Sequence, residues 1–261
     1  MEWYTVGIGI LVLLIVLIAI GLPIPFALAG ASLPFLWTIQ EFSTSMISAE
    51  LMLWGVWVDY ILLAVPLFVF LGELVGRSKI GPRLYELMHK GVPMKGAAAY
   101  GSVGACAGFG AVCGSSMIGA LTIGSVALPE MLRLGYGKRL SAGVIAAGGT
   151  LSVLIPPSLI LLFYGIVTDV SIGQLFIAGV IPGLILTGLF IVVILAWRYF
   201  APADIPSDVG EGVAFTQIIV AIVPIFVIGF VIISSIYFGI ATPTEAAAVA
   251  VVATLILAFT I

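Results

Sequence analysis

The chain has 261 residues, 62% of them hydrophobic and only 8% charged, with a formal net charge of −3. A soluble domain carries about 25% charged residues, so the composition and the mean hydropathy of +1.34 exclude a water-soluble globular fold and indicate an all-α polytopic membrane protein. Continuous apolar runs exclude the alternating strands of an outer-membrane barrel; no phosphate-loop or dinucleotide motif occurs, and nothing points to a nucleic-acid partner.

A membrane span needs about 20 apolar residues. In chain order the candidates are 4–22, 24–39 (short, with Pro34), 51–76, 141–168, 174–198, 214–237 and 244–261. The first run lacks the basic flank and small-residue cleavage site of a signal peptide, so it reads as a retained span. A loop at 41–50 carries Glu41 and Glu50, and Asp59 falls near the start of the third span. Glu73 and Arg77 are spaced for an i,i+4 pair. Residues 77–95, RSKIGPRLYELMHKGVPMK, read as an amphipathic interfacial segment in the bilayer surface.

The stretch 96–158 is the most informative. It is apolar, yet Gly, Ser, Thr and Pro interrupt it repeatedly. A bilayer tolerates broken backbone only where protein or a solute cavity satisfies the freed N–H and C=O groups. Paired interrupted segments are the expected build of an ion or substrate site near the midplane. Eight of the nine basic residues flank its first part: Arg77, Lys79, Arg83, Lys90 and Lys95 before it, Arg133, Lys138 and Arg139 after it. The positive-inside rule puts both clusters in the cytoplasm. Residues 96–134 therefore enter and leave from the same side, as two full spans with a tight outer turn or as a re-entrant hairpin. Each arm is slightly short for a span and the turn has no interfacial anchor, which favours the hairpin. On that frame the N-terminus, the 41–50 loop and the 169–173 turn are periplasmic, and the linker rich in Asp and Pro before 214 is cytoplasmic.

The tip Gly114-Ser115-Ser116 offers hydroxyls, carbonyls at the end of one arm and a helix N-terminus at the start of the next. Those hard oxygens suit Na⁺; close packing of small residues is the competing reading. The 141–168 helix exceeds one span and is broken by Gly148-Gly149-Thr150 and Pro156-Pro157-Ser158. Proline lacks an N–H, so the carbonyls of Ser152 and Val153 lose their helical partners; a local cluster of free oxygens or a plain kink follows. Thr242-Pro243-Thr244-Glu245 has the pattern of a capping box. Cys106 and Cys113 read as buried packing residues. Glycine and serine at the tip faintly resemble a nucleophile turn, but the sole histidine, His89, lies in the basic segment. A nucleophile needs its base within hydrogen-bond reach, so no enzyme is expected and no catalytic residue or cofactor is assigned.

Residues 4–31 and 222–249 share a pattern: a long apolar helix, then Gly21-Leu-Pro-Ile-Pro25 in the first and Gly239-Ile-Ala-Thr-Pro243 in the second. The first copy starts outside and the second inside, as in an inverted-repeat transporter. The second repeat would begin near 214 while the chain ends in an apolar run, so a truncated second repeat is expected.

The run FGAVCGSSMIGALTIG, continuing to AAGGTLSVLIPPSLI, together with PLFVFLGELV (66–75) and FGIATPTEAAAVAVV (238–252), resembles the large membrane subunit of tripartite ATP-independent periplasmic (TRAP) transporters, in its N-terminal portion. The resemblance covers essentially the whole chain. It implies an elevator-type carrier in the bacterial or archaeal inner membrane that symports sodium with organic acids of the C4-dicarboxylate or sialic-acid class. A periplasmic solute-binding protein and a small four-helix membrane subunit would be its partners. It further implies a Na⁺ site made by Ser115 and Ser116 with backbone oxygens around Ser152, Leu154 and Pro157, and substrate or hinge roles for Gly114, Gly149, Thr150, Pro156 and Ser158. The family usually has Ala-Thr where this chain has Ile118-Gly119, and Gly where it has Ser152. The implied organisation is scaffold helices and amphipathic arm over 1–95, a transport-domain half over 96–199 (hairpin 96–134, broken helix 141–168, helix 174–198), a linker over 200–213 and an incomplete second repeat over 214–261. The alternatives are an ion-coupled inverted-repeat carrier without a binding protein and a non-transporting membrane fragment.

Overall fold

The computed structural model describes residues 3–39, 41–210, 212 and 215–260. Among them the regular structure is helical, with no β-strand. The chain divides into two compact units, Met1–Val58 and Asp59–Ile261.

The first unit holds α1 (Trp3–Ala19), α2 (Ile24–Ile39) and α3 (Phe42–Trp57). Helices α1 and α2 meet where Gly9 has no side chain: a Cβ there would sit 2.5 Å from the Phe35 ring. Ser45 donates to the Leu36 carbonyl at 3.3 Å, tying α3 to α2. Elsewhere the unit exposes large apolar side chains, among them Ile8, Leu11, Phe26, Met52 and Trp54, which is the surface of a helix facing lipid.

The expected loop at 41–50 is instead the first half of α3, and the expected single span 51–76 is interrupted. The break has a local cause. Asp59 turns its carboxylate onto the Ile61 N–H at 2.8 Å and caps a short 3₁₀ turn, Tyr60–Leu63. A short acidic side chain bonded to its own backbone competes with helix continuation. The run resumes as α4 (Ala64–Arg77), so the stretch long and apolar enough to cross a membrane is Tyr60–Arg77. Glu73 accepts from Arg77 at 2.6 Å, the anticipated i,i+4 pair.

In the second unit α5 (Ile80–Gly91) is the amphipathic segment. The hairpin follows as α6 (Ala97–Cys113) and α7 (Ser116–Arg133), the broken helix as α8 (Lys138–Leu154) and α9 (Leu159–Thr168), and then α10 (Ile172–Phe200), α11 (Phe215–Tyr237) and α12 (Pro243–Thr260). Lys138–Thr168 and Ile172–Phe200 are both long and apolar enough to span. Helix α6 is buried along almost its whole length, packed by its small side chains against its neighbours. Its close approach to α5 needs the missing side chain at Gly101, where a Cβ would fall 2.7 Å from the His89 backbone. Seventeen residues of α6 extend about 25 Å. Both cysteines are buried and unpaired.

The two repeat copies end in the same local geometry. After α1, Gly21 has φ +93°, its N–H donates to Ile18 O, and Leu22 N–H donates to Leu17 O. After α11, Gly239 has φ +68°, with the equivalent bonds to Ile236 O and, from Ile240, to Ser235 O. Each is a Schellman turn, which glycine permits because it lacks the Cβ penalty of left-handed backbone. The capping box closes as read: Thr242 N–H donates to Glu245 Oε2 at 2.8 Å, and Glu245 N–H to Thr242 Oγ1 at 3.3 Å.

The 200–213 segment is more than a tether. A short 3₁₀ turn, Pro202–Asp204, is followed by extended chain that docks on the hairpin base. Asp208 receives bonds from Tyr136 Oη at 2.7 Å and the Ala98 N–H at 3.0 Å, and its carboxylate lies 3.5 Å from His89 Nε2. The Gly96 N–H donates to the Asp208 carbonyl, and the Gly210 N–H to the Val92 carbonyl. Asp204 accepts from Trp197 Nε1 at 3.0 Å and, through its carbonyl, from the Gly137 N–H.

A hairpin tip facing a broken helix

The link between α6 and α7 is Gly114-Ser115. Gly114 has φ +59° and its N–H returns to Gly110 O at 3.3 Å. Its carbonyl accepts from the Leu159 N–H at 3.3 Å, and a Cβ on it would lie 2.6 Å from the Pro157 carbonyl oxygen. The tip therefore touches the interruption between α8 and α9. Ser115 precedes the first turn of α7 but makes no side-chain cap, so α7 begins with its N–H groups and positive dipole end open at the junction. Ser115 and Ser116 are half-buried.

Helix α8 ends because Ile155 N–H is the last to return a bond, to Leu151 O at 2.8 Å, and the next two residues are prolines. The carbonyls of Ser152 and Val153 are left without an i+4 donor. Pro156, Pro157 and Ser158 are buried, with a cis bond between the prolines. Ser158 restarts the chain as the cap of α9, accepting from the Leu161 N–H at 3.4 Å.

Of the residues singled out from sequence, Gly114, Ser115, Ser116, Gly149, Ser152, Pro157 and Ser158 collect around this junction. Gly149 lets α8 approach α7: a Cβ there would sit 2.6 Å from Ala120 Cβ and 3.1 Å from the Ser116 carbonyl oxygen. Two others point elsewhere. The Leu154 carbonyl lies against α10, where a Cβ on Gly179 would meet it at 2.5 Å. The Thr150 side chain is exposed and bonds the Ala147 carbonyl of its own helix at 2.6 Å.

Ser152 contributes what sequence reasoning missed: its hydroxyl. The residue is fully buried, and its Oγ has no partner at full hydrogen-bond geometry, only the weakly bonding Cys113 thiol nearby. Two glycines enclose it. A Cβ at Gly119 would lie 2.6 Å from Ser152 Oγ, and one at Gly110 would lie 2.9 Å from it. Positions 119 and 152 therefore share one space: the Ser152 hydroxyl occupies the room that a side chain at 119 would need. A hydroxyl short of a full hydrogen bond in so tight a place costs about 1–3 kcal/mol unless something accepts or donates to it.

The geometry excludes nucleophilic catalysis at the tip. His89 packs at Gly101 near the opposite end of α6, about 18 Å along the helix from Cys113. It faces Asp208 and stacks on Tyr85 at 5.9 Å. At that outer end, burial opposes the Asp208 carboxylate, but the bonds from His89, Tyr136 and Ala98 outweigh it and hold its pKa below the ordinary carboxylate range. Burial first, then the bond and charge of Asp208, push the Tyr136 phenol well above its usual range.

The chain matches a family profile described as "Tripartite ATP-independent periplasmic transporter, DctM component" over residues 11–261. It is 38% identical over 196 residues to the C4-dicarboxylate TRAP transporter large permease protein DctM of Pseudomonas aeruginosa, covering 74% of this chain and 45% of that one. Similarity extends to the ectoine TRAP transporter large permease protein TeaC of Halomonas elongata, at 34% over 203 residues, 77% of this chain and 47% of that one. The isethionate TRAP transporter permease protein DctMQ of Oleidesulfovibrio alaskensis is 34% identical over 231 residues, 85% of this chain and 34% of that one. The chain spans about half the length of the first two of these relatives. These relatives are permease proteins, not enzymes. The chain belongs to the family of DctM components, the large membrane subunits of tripartite ATP-independent periplasmic transporters.

Proposed function

We propose that this chain forms the first half of the membrane carrier of a sodium-coupled elevator transporter, with its coupling ion held where the hairpin tip meets the α8–α9 break. The observation that carries this reading is the contact of Gly114 with Pro157 and Leu159, beside hydroxyls and carbonyls without helical partners. Na⁺ takes hard oxygen ligands, and the donor set fits. Ser115 and Ser116 would supply hydroxyls, and the backbone around Ser152 and Pro157 carbonyl oxygen. The buried Ser152 Oγ, with only the Cys113 thiol nearby, adds a donor on this chain's own α8. Leu154 and Thr150 would contribute through the length and flexibility of the break, since neither presents its polar group to the tip.

In this reading residues 1–95 belong mainly to the scaffold and 96–199 to the moving half, with Gly149, Pro156 and Ser158 shaping the broken helix. The linker 200–213 leads into the start of a second repeat over 214–261. The substrate is a small organic acid. The C4-dicarboxylate, ectoine and isethionate in the relatives' names all carry an acid group, and the dicarboxylate or sialic-acid class is our reading. A periplasmic binding protein would deliver it, a small four-helix membrane subunit would complete the scaffold, and the inner membrane would be the site of action.

The test is uptake. Proteoliposomes carrying the complete permease assembly and its binding protein should accumulate a labelled organic acid under an inward Na⁺ gradient and not under an equal K⁺ gradient. Uptake of equal rate and extent under both gradients would overturn the sodium reading.

A further inference from the structure

Between α8 and α10, away from the hairpin tip, lies a narrow cavity of about 200 Å³. Val103 and Ile194 form its floor, both almost fully buried. Gly143 and Ala147 leave it open along one wall, and Arg139 and Trp197 stand at one end. The lining is apolar apart from that end. Helix α8 lies in the stretch Lys138–Thr168 and α10 is Ile172–Phe200, both long and apolar enough to cross a membrane, which suits an apolar groove open to lipid.

Two features define the occupant. Arg139 is exposed and has no ion-pair partner among the described residues, unlike its neighbour Arg133, which is bound twice by Glu130. An unpaired guanidinium at the mouth of an apolar slot complements an acidic headgroup whose chain enters the slot. Trp197 is held in place beside it, because its indole N–H is bonded to Asp204. Gly143 is not small for packing reasons, since a Cβ there would meet no atom within 4 Å; its smallness keeps the slot open.

We propose that this groove is a binding site for an anionic phospholipid, with one acyl chain between α8 and α10 and the headgroup phosphate on Arg139. The site rests only on the membrane-spanning character of Lys138–Thr168 and Ile172–Phe200, and not on the sodium reading. Binding here would weigh α8 against α10 at the end opposite the broken segment, so the lipid composition would bear on how the broken helix is held.

Trp197 reports on the groove. The chain has five tryptophans, and the other four lie at positions 3, 37, 54 and 57. With Trp3→Phe, Trp37→Phe, Trp54→Phe and Trp57→Phe in place, Trp197 fluorescence in nanodiscs is measured with dibrominated phosphatidylglycerol or dibrominated phosphatidylcholine at equal mole fraction. The expected result is an apparent affinity about fivefold higher for the anionic lipid. Arg139→Gln should remove that preference. Gly143→Leu should reduce quenching by both lipids while the thermal unfolding of the protein stays unchanged. Free glycerol phosphate should not compete. Equal quenching by the two lipids in the parent would overturn the proposal. So would a preference that survives Arg139→Gln, competition by the free phosphate, or the absence of quenching by either lipid, which would mean that protein covers the groove.

Discussion

Replacing Asp208 should loosen the base of the hairpin by an amount that the structure sets. Its side chain is nearly buried and receives Tyr136 Oη at 2.7 Å and the Ala98 N–H at 3.0 Å. Asp208→Ala leaves both donors in the interior without an acceptor. At about 1–3 kcal/mol for each of the two abandoned groups, the loss is about 2–6 kcal/mol. For a chain of this size that corresponds to roughly 4–24 °C in the unfolding midpoint. Asp208→Asn keeps an oxygen facing Tyr136 and should cost less than half as much. The two cysteines are buried and free, so a thiol-reactive dye in detergent reports unfolding directly. The pH dependence has a definite sign. The Asp208 pKa is lowered in the folded protein, so its stabilisation is complete above the unfolded value of about 3.9. It disappears as pH falls below that through the folded pKa. The stabilisation that Asp208 adds over Asp208→Ala should therefore be present at neutrality and be lost only below about pH 4. A midpoint for Asp208→Ala within about 1 °C of the parent at pH 7 would refute the view that this linker clamps the hairpin base.

Ser115→Ala and Ser116→Ala, each removing one oxygen from the tip, should raise the Na⁺ concentration for half-maximal uptake by about 5- to 150-fold, the equivalent of 1–3 kcal/mol; unchanged half-saturation in both, with normal expression, favours simple packing. Gly119→Thr should destabilise the protein because its Cβ would meet Ser152 Oγ at 2.6 Å, and adding Ser152→Gly should restore much of the loss. Additive effects in that double-mutant cycle, read by thermal unfolding, would show that the two positions do not exchange one space. Cysteines introduced at Lys90 and Lys138 should resist an impermeant thiol reagent in whole cells while one at Glu50 reacts; the opposite pattern would invert the proposed sidedness.

The helices of the second unit were legible because their signals are local. Apolar length placed α10 and α12, the Thr242 to Glu245 spacing placed a cap, and Gly114 with the two prolines placed the tip and the break. Asp59 was the missed local signal: an acid after an apolar run can end a helix by bonding its own backbone, and counting it simply as part of the third span hid the interruption. The Asp208 clamp was not legible for another reason. Its partners Tyr136 and Ala98 are 72 and 110 residues away, and no periodicity links an aspartate in a proline-rich linker to them. The same holds for Ser152. Its sequence neighbours say only that it sits before two prolines, and the enclosure of its hydroxyl by Gly110 and Gly119 exists only once three helices have packed.

Na⁺ bound where the hairpin tip meets the α8–α9 break should stabilise the folded chain. The most direct test is the thermal unfolding of the 261-residue chain at fixed ionic strength in NaCl and in KCl, with the Ser115→Ala/Ser116→Ala protein alongside. An ion that binds only the folded state stabilises it by mass action. The midpoint of the parent should rise with Na⁺ and not with K⁺, and the rise should be reduced or lost in the double variant. Identical midpoints in the two salts, or a Na⁺ response that persists undiminished without both hydroxyls, would contradict a sodium site at that junction.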